Sequence, residues 1–185
     1  GASRVMAQHR RSSPRPDADT IRLDLPGLKT YTIDDESTRE IDDALSLETL
    51  PDGRQRLWVH IADPTRWMIP GDELDLEARR RCTTVYLPTG MVSMFPLELA
   101  TGPMSLIQGE VHCGLSFGVV LTDAGAIADY CITASLVKPT YRLTYEDVDE
   151  MLDLGIEAEP ELLAIAHWAK VRSHWRDQQG AINIH

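Results

Sequence analysis

Residues 111–137, VHCGLSFGVVLTDAGAIADYCITASLV, decide the fold class. Val111, Cys113, Leu115, Phe117, Val119 and Leu121 recur at every second position, which puts them on one face of a strand. Asp123-Ala124-Gly125 supplies turn residues, and Ile127–Val137 returns as a β-prone partner, so the stretch is predicted as an antiparallel hairpin. Upstream, the turn Pro51-Asp52-Gly53-Arg54 leads into Gln55–Ala62, where Leu57, Val59 and Ile61 alternate with Arg56, Trp58 and His60. The Asp-Gly pair predicts another hairpin. Ala44–Glu48 and Lys29–Ile33 are shorter β-prone runs ahead of it. Asp72–Cys82 reads as a helix, with Leu74, Leu76 and Ala78 apolar and Arg79–Arg81 suited to its C-terminal end. Val85–Pro103, with prolines at 88, 96 and 103, reads as irregular. Downstream the pattern turns helical. Thr144 opens one helix through about Leu152, with Asp147 completing a weak capping box. Pro160–Gln178 forms a longer one, whose predicted buried stripe is Leu162, Ile165, Ala166, Ala169 and Val171. Strands first and helices late predict an α+β fold rather than alternating βαβ units.

The chain has 185 residues, enough for one domain, and 43% hydrophobic content is enough for a core. No apolar run approaches the roughly 20 residues of a membrane helix, and the first residues lack a secretory apolar region. Cys82, Cys113 and Cys131 are too far apart for a zinc ribbon or a disulfide scaffold, and they suit a reducing compartment such as the cytoplasm. Residues 1–20 are rich in Arg, Ser and Pro and read as a flexible basic tail or linker, with the folded body over residues 21–185. The net charge is −11. A body this acidic repels nucleic acid unless its carboxylates are gathered where they hold metal.

They are gathered. Residues 34–43, DDESTREIDD, hold six carboxylates and one arginine between two β-prone segments. Packed carboxylates raise one another's pKa unless a cation intervenes, and oxygen-only ligands select Mg²⁺ or Mn²⁺. In an extended segment Glu40 and Asp42 point one way and Asp43 the other, so convergence with Asp34 requires a bent loop, which Ser37 and Thr38 permit. An EF-hand is excluded, because Arg39 would occupy its glycine position. From composition alone, a solvated acidic loop remains an equal alternative.

Thr-Ile-Asp-x5-Glu-Ile-Asp-Asp-Ala, over residues 32–44, resembles the acidic signature of the ribonuclease II/R family, whose catalytic module is the RNB domain. The likeness continues at His60-Ile61-Ala62-Asp63-Pro64-Thr65, Tyr86-Leu87-Pro88, Phe95-Pro96 and Tyr141-Arg142-Leu143-Thr144-Tyr145. It implies a 3′→5′ exoribonuclease that releases nucleoside 5′-monophosphates by two-metal-ion hydrolysis. Carried onto this sequence, Asp34, Glu40, Asp42 and Asp43 form the acidic site that holds Mg²⁺ or Mn²⁺. Asp34 and Asp43 are the expected direct ligands, and Asp42 serves the second ion or the attacking water. Glu40 departs from the aspartate that the family usually has there. Tyr86 and Tyr145 are the expected contacts to the 3′-terminal nucleotides of single-stranded RNA, since aromatic faces stack on any base. A further family aromatic would fall near Ile184, where none is present.

Other candidates carry less. His60 and Asp63 are expected to hold the loop beside the acidic site rather than act as a catalytic pair. Ser93 and Ser105 lack a nucleophile-elbow context, and no phosphate-binding glycine motif is present. Arg79–Arg81 suit either phosphate or a helix C-terminus. The family's catalytic domain continues beyond Ile-Asn-Ile-His and is flanked by small β-barrel RNA-binding domains of the OB type, so this chain is expected to be the N-terminal portion of that domain within a larger polypeptide. A partial core predicts exposed apolar surface. The rival expectation is a catalytically incomplete RNB-like module that binds RNA or serves as a scaffold.

Overall fold

The β-prone runs do pair, and in a computed structural model they form one seven-stranded sheet in the order β1-β8-β7-β4-β3-β2-β9. The structure describes residues 21–25 and 27–182; the predicted tail over residues 1–20 and the position of Ile184 lie outside them. The strands are β1 (Leu23–Asp24), β2 (Thr30–Asp34), β3 (Asp43–Thr49), β4 (Gln55–Ala62), β7 (His112–Leu121), β8 (Ile127–Val137) and β9 (Tyr141–Thr144). The pairs β2–β3, β3–β4, β4–β7 and β7–β8 are antiparallel, whereas β1–β8 and β2–β9 are parallel. The helices are α1 (Glu73–Arg81), α2 (Leu97–Ala100), α3 (Tyr145–Leu154) and α4 (Pro160–Gln178), with a short 3-10 turn at Pro64–Trp67. The fold is mixed α+β.

The sheet is strongly curled, and chain length requires it. β8 and β9 are five strand positions apart, roughly 24 Å along a flat sheet. Yet only Lys138–Thr140 join Val137 to Tyr141, a reach of at most about 14 Å. The ends of the sheet must therefore approach one another. The concave side is filled by Leu25, Ile41, Ala44, Trp58, Ala62, Leu106 and Val137. Little room remains there for β7, which turns Gly114, Ser116, Gly118 and Val120 inward. A Cβ on Gly118 would lie 2.8 Å from the Trp58 ring. The alternating apolar residues predicted on one face of β7 are indeed on one face, but it is the convex one, where Leu115 stays exposed. Ile61 and Ile132 lie beside this row and are also exposed.

α3 and α4 cover the other part of the convex face. Leu162 and Ile165 pack with Tyr31, Leu47, Leu45 and Leu57. The stripe differs from the predicted one: Ala169 is exposed, and Trp168 packs against the Leu162–Ile165 cluster instead. Glu159 anchors the start of α4, accepting hydrogen bonds from Tyr31 (2.6 Å), Tyr141 (3.0 Å) and Lys29 (3.3 Å). In α1, Leu74 and Ala78 are buried four residues apart, while Leu76 points outward. Asp72 caps this helix through the Asp75 amide, and Thr144 with Asp147 forms the full capping box of α3. Residues 85–103, read as irregular, contain a small antiparallel hairpin, β5 (Val85–Leu87) and β6 (Gly90–Val92), followed by α2. No described helix is long and apolar enough to cross a membrane.

Candidate active site

The C-terminal ends of β2, β4 and β9 and the start of β3 share one end of the sheet, and the acidic segment bridges them. A turn at Glu36–Ser37 reverses the chain, where Ser37 and Thr38 were expected to allow a bend. Asp35 stabilises it by accepting from the Ser37 amide at 2.8 Å, and the Thr38 amide donates to the Asp35 carbonyl at 2.9 Å. The Ser37 hydroxyl, which donates to the same carboxylate, and then the Ser37 amide hold the Asp35 carboxyl below its ordinary range. Ile41 plugs into the core. Its amide donates to Ser105 Oγ at 2.9 Å, and its carbonyl accepts from the Leu106 amide at 2.9 Å. The Ala62 amide donates to the Asp42 carbonyl at 2.8 Å, which ties the loop to the end of β4. The acidic segment is thus fixed at several points along its length.

Asp34 ends β2, and its neighbour of like parity is Thr32, on the concave side. Asp34 Oδ2 and Thr32 Oγ1 are both buried and have no hydrogen-bond partner. Burial raises the Asp34 carboxyl, and the nearby Asp43 charge raises it further, against a lowering effect of Arg142. Asp42 is also raised, by partial desolvation and then by the charges of Glu40, Asp43 and Asp34, although its side chain still reaches solvent. The four carboxylates therefore sense one another. Glu40 has other partners as well. Its Oε1 accepts from Ser93 Oγ at 2.6 Å, and its Oε2 from Thr84 Oγ1 at 3.5 Å.

A cleft of about 490 Å³ opens beside this segment, with Glu40, Asp42, Pro64, Thr84, Tyr86 and Phe95 in its lining. Tyr86 projects from β5 and is 74% exposed. Tyr145, 57% exposed, begins α3 directly after Thr144, which is in register with Asp34. The structure brings Glu40, Asp42 and Tyr86 to one cleft and places Asp34 and Tyr145 at adjoining strand ends. Among the described residues, no group of three His, Cys, Asp or Glu side chains converges closely enough to hold a metal ion. The fit to Mg²⁺ or Mn²⁺ rests instead on an all-oxygen donor set, mutually repelling acids, and the orphaned Asp34 oxygen.

The sequence profile of the RNB domain matches residues 22–185. The chain belongs to the RNB-domain family. This RNB chain is 66% identical over 173 residues to an uncharacterized ribonuclease of Synechocystis sp., covering 94% of the chain and 26% of that protein. It is 47% identical over 172 residues to the chloroplastic/mitochondrial ribonuclease II of Arabidopsis thaliana, covering 92% of the chain and 21% of that protein. The chain spans about a quarter of the length of these relatives. Its fold is similar to Mycoplasma genitalium RNase R, solved in complex with ribose-methylated single-stranded RNA (TM-score 0.81, 22% identity, 97% of this chain and 28% of that one). It is also similar to yeast Ssd1, a pseudonuclease (TM-score 0.72, 21% identity, 85% of this chain and 20% of that one).

Some expected roles in the RNB chain shift. His60 does not hold the acidic loop. It is fully buried between strands, with Nε2 2.8 Å from Ser46 Oγ and Nδ1 2.7 Å from Ser116 Oγ. Asp63 does support the chain after β4: it accepts from Arg22 at 2.7 Å and from the Thr65 amide at 3.2 Å. Arg79 and Arg80 pair with Asp75 and Glu77 of their own helix, while Arg81 pairs with Glu77 and donates to the Ser93 carbonyl at 2.7 Å. Sequence reasoning missed Ser93, Thr84, Thr32 and Arg142 as parts of the site. Arg142 Nη2 donates to the Thr38 carbonyl at 2.6 Å and straps the acidic turn to β9. Ser93 lies 53 residues from its acidic partner, and no local pattern signals such a contact.

Proposed function

We propose that this RNB chain supplies the acidic half of the active site of a 3′→5′ exoribonuclease that releases nucleoside 5′-monophosphates from single-stranded RNA. The observation that carries the proposal is the buried, unpartnered oxygen of Asp34, with Asp34 and Asp42 raised by burial and by neighbouring carboxylate charges, near a cleft carrying an exposed tyrosine. Burying a carboxylate oxygen without a partner is costly, so the site is built for a cation that compensates it. Asp34, Asp42 and Asp43 would hold Mg²⁺ or Mn²⁺, with the Glu40 charge adding to the field at Asp42. Bound there, such ions would supply activation of a water and stabilisation of the leaving 3′-oxygen. Asp42, which lines the cleft and reaches solvent, would orient that water. Tyr86 and Tyr145 would stack on bases of the 3′ end and bring its last phosphodiester to the acids. The remaining catalytic segment and OB-type domains of a longer polypeptide would bring positive surface to offset the net charge of −11 of this chain. The three free cysteines suit work in a reducing compartment, the cytoplasm among them.

Asp42→Asn in the full-length polypeptide tests the assignment. Mononucleotide release should fall by roughly 10²-fold or more, the scale expected when a charged group acting on the transition state is neutralised. Release at the wild-type rate would defeat it. A second reading is a catalytically incomplete RNA-binding or scaffold module. It is favoured by the separation of the carboxylates, which reach no three-ligand geometry among the described residues. RNA affinity that survives EDTA, with no mononucleotide release, would select it.

A further inference from the structure

We infer that Glu40 is the clamp at the foot of the β5–β6 hairpin, fixing the position from which Tyr86 meets the terminal nucleotide. The nature of that ligand rests on the exoribonuclease proposal; the clamp itself rests on hydrogen bonds. All six residues of the two strands, Val85–Leu87 and Gly90–Val92, are exposed, including Tyr86, Leu87 and Val92. A two-stranded hairpin with no core is marginal in isolation. Its stability must come from where it joins the body.

The two joints are Thr84, just before β5, and Ser93, just after β6, and both face one carboxylate. Ser93 Oγ donates to Glu40 Oε1 at 2.6 Å, a short charge-assisted bond, and Thr84 Oγ1 approaches Oε2 at 3.5 Å. The joints are also linked to each other, since the Met94 amide donates to Thr84 Oγ1 at 3.1 Å. The Ser93 carbonyl accepts from Arg81 at the end of α1. Glu40 is a rigid post because the next residue, Ile41, is locked into the core through Ser105 and Leu106.

This accounts for glutamate at position 40. The added methylene carries the carboxylate across the cleft to the hairpin, and its oxygens are engaged there rather than turned toward Asp34 and Asp43. Glu40 is therefore a positioning residue. The acidic loop and the aromatic that faces the RNA end are joined through it, so this side chain contributes to the distance between Tyr86 and Asp42.

The test uses Ser93→Ala, Ser93→Thr and Glu40→Asp in the full-length protein. Hydrogen exchange of residues 85–92, measured without RNA or metal, should quicken about tenfold in Ser93→Ala and Glu40→Asp, the scale of a lost charge-assisted bond, and return to wild type in Ser93→Thr. With a short single-stranded oligoribonucleotide, Ser93→Ala should raise KM about tenfold while kcat changes less than about threefold. Mn²⁺ affinity should stay within about twofold in Ser93→Ala, since the hydroxyl lies outside the proposed ligand set. Unchanged exchange in both Ser93→Ala and Glu40→Asp would overturn the clamp, as would a fall in kcat with KM fixed. If Ser93→Ala does not fold, Glu40→Asp decides alone by the exchange measurement. A wild-type protein that releases no mononucleotide would sink the nuclease proposal and leave the exchange result to decide the clamp.

Discussion

Asp34 stands opposite Thr144 across the parallel pair β2–β9, one residue ahead of Tyr145. The register fixes an acid and an aromatic at the same end of neighbouring strands, although 111 positions separate Asp34 from Tyr145 in the chain. On the other side of the acidic loop, Tyr86 lines the cleft with Glu40 and Asp42. Tyr86→Ala and Tyr145→Ala are each expected to weaken single-stranded RNA binding by about 1–3 kcal/mol, the range for a lost base–aromatic stack, and Phe at either position should retain most of the affinity. Fluorescence anisotropy of a labelled oligoribonucleotide in EDTA measures this. Alanine variants that bind as tightly as wild type would reduce both tyrosines to ordinary surface residues.

Asp34 and Asp42 have raised carboxyls, so the folded chain retains protons there that the unfolded chain has released. Stability contributed by these two groups is therefore fully present below the ordinary aspartate pKa and falls as pH rises through their raised values. Thermal unfolding without metal should show Asp34→Asn gaining stability relative to wild type at pH 7 and losing that advantage near pH 3. Added Mg²⁺ should stabilise the wild type more at pH 7 than at pH 4, by mass action on the ionised acids. A metal effect independent of pH would contradict the proposed site.

His60 responds in the opposite sense. Burial lowers its pKa to about 4, from an ordinary value of 6.5. Below pH 6.5 the unfolded chain takes up a proton that the folded one refuses until about pH 4, so stability falls as pH drops through that window. The full cost is about 3 kcal/mol. Urea unfolding of wild type and His60→Gln at pH 7 and at pH 4.5 should show the wild type losing more between the two conditions. Equal losses would mean that His60 titrates normally.

Gly118 is required by the curl of the sheet. A Cβ there would meet Arg56 Cδ and Trp58 Cζ3 at 2.8 Å and Cys131 Sγ at 2.9 Å. Gly118→Ala should cost about 1–3 kcal/mol through overpacking. Gly114→Ala, on the same face and with a nearest contact of 3.2 Å, should cost less. Denaturant midpoints of the two variants give the comparison, and a reversed order would mean that the concave side is looser than its contacts indicate.

Much of the architecture was legible before any coordinates. The β7–β8 hairpin, the Asp-Gly turn before β4 and the Pro160–Gln178 helix come from local signals: alternation, turn residues and a proline at a helix start. The β5–β6 hairpin was not legible, because proline-rich sequence masks three-residue strands whose stability is supplied by Glu40 from outside. The buried face of β7 was misleading for a related reason. Apolar alternation predicts the faces of a strand, but Trp58 and its neighbours fill the concave side, so β7 turns mainly Gly and Ser inward and leaves Leu115 outside.

The sequence by itself determined the family, the longer strands and helices, and the acidic segment with its two candidate tyrosines, since each is written in contiguous residues or family motifs. Tertiary structure alone decided which atoms meet: the orphaned Asp34 oxygen, the strap from Arg142, the inward burial of His60, and the Ser93–Glu40 bond. These contacts join segments up to 104 residues apart, which only strand pairing and packing bring within hydrogen-bond range.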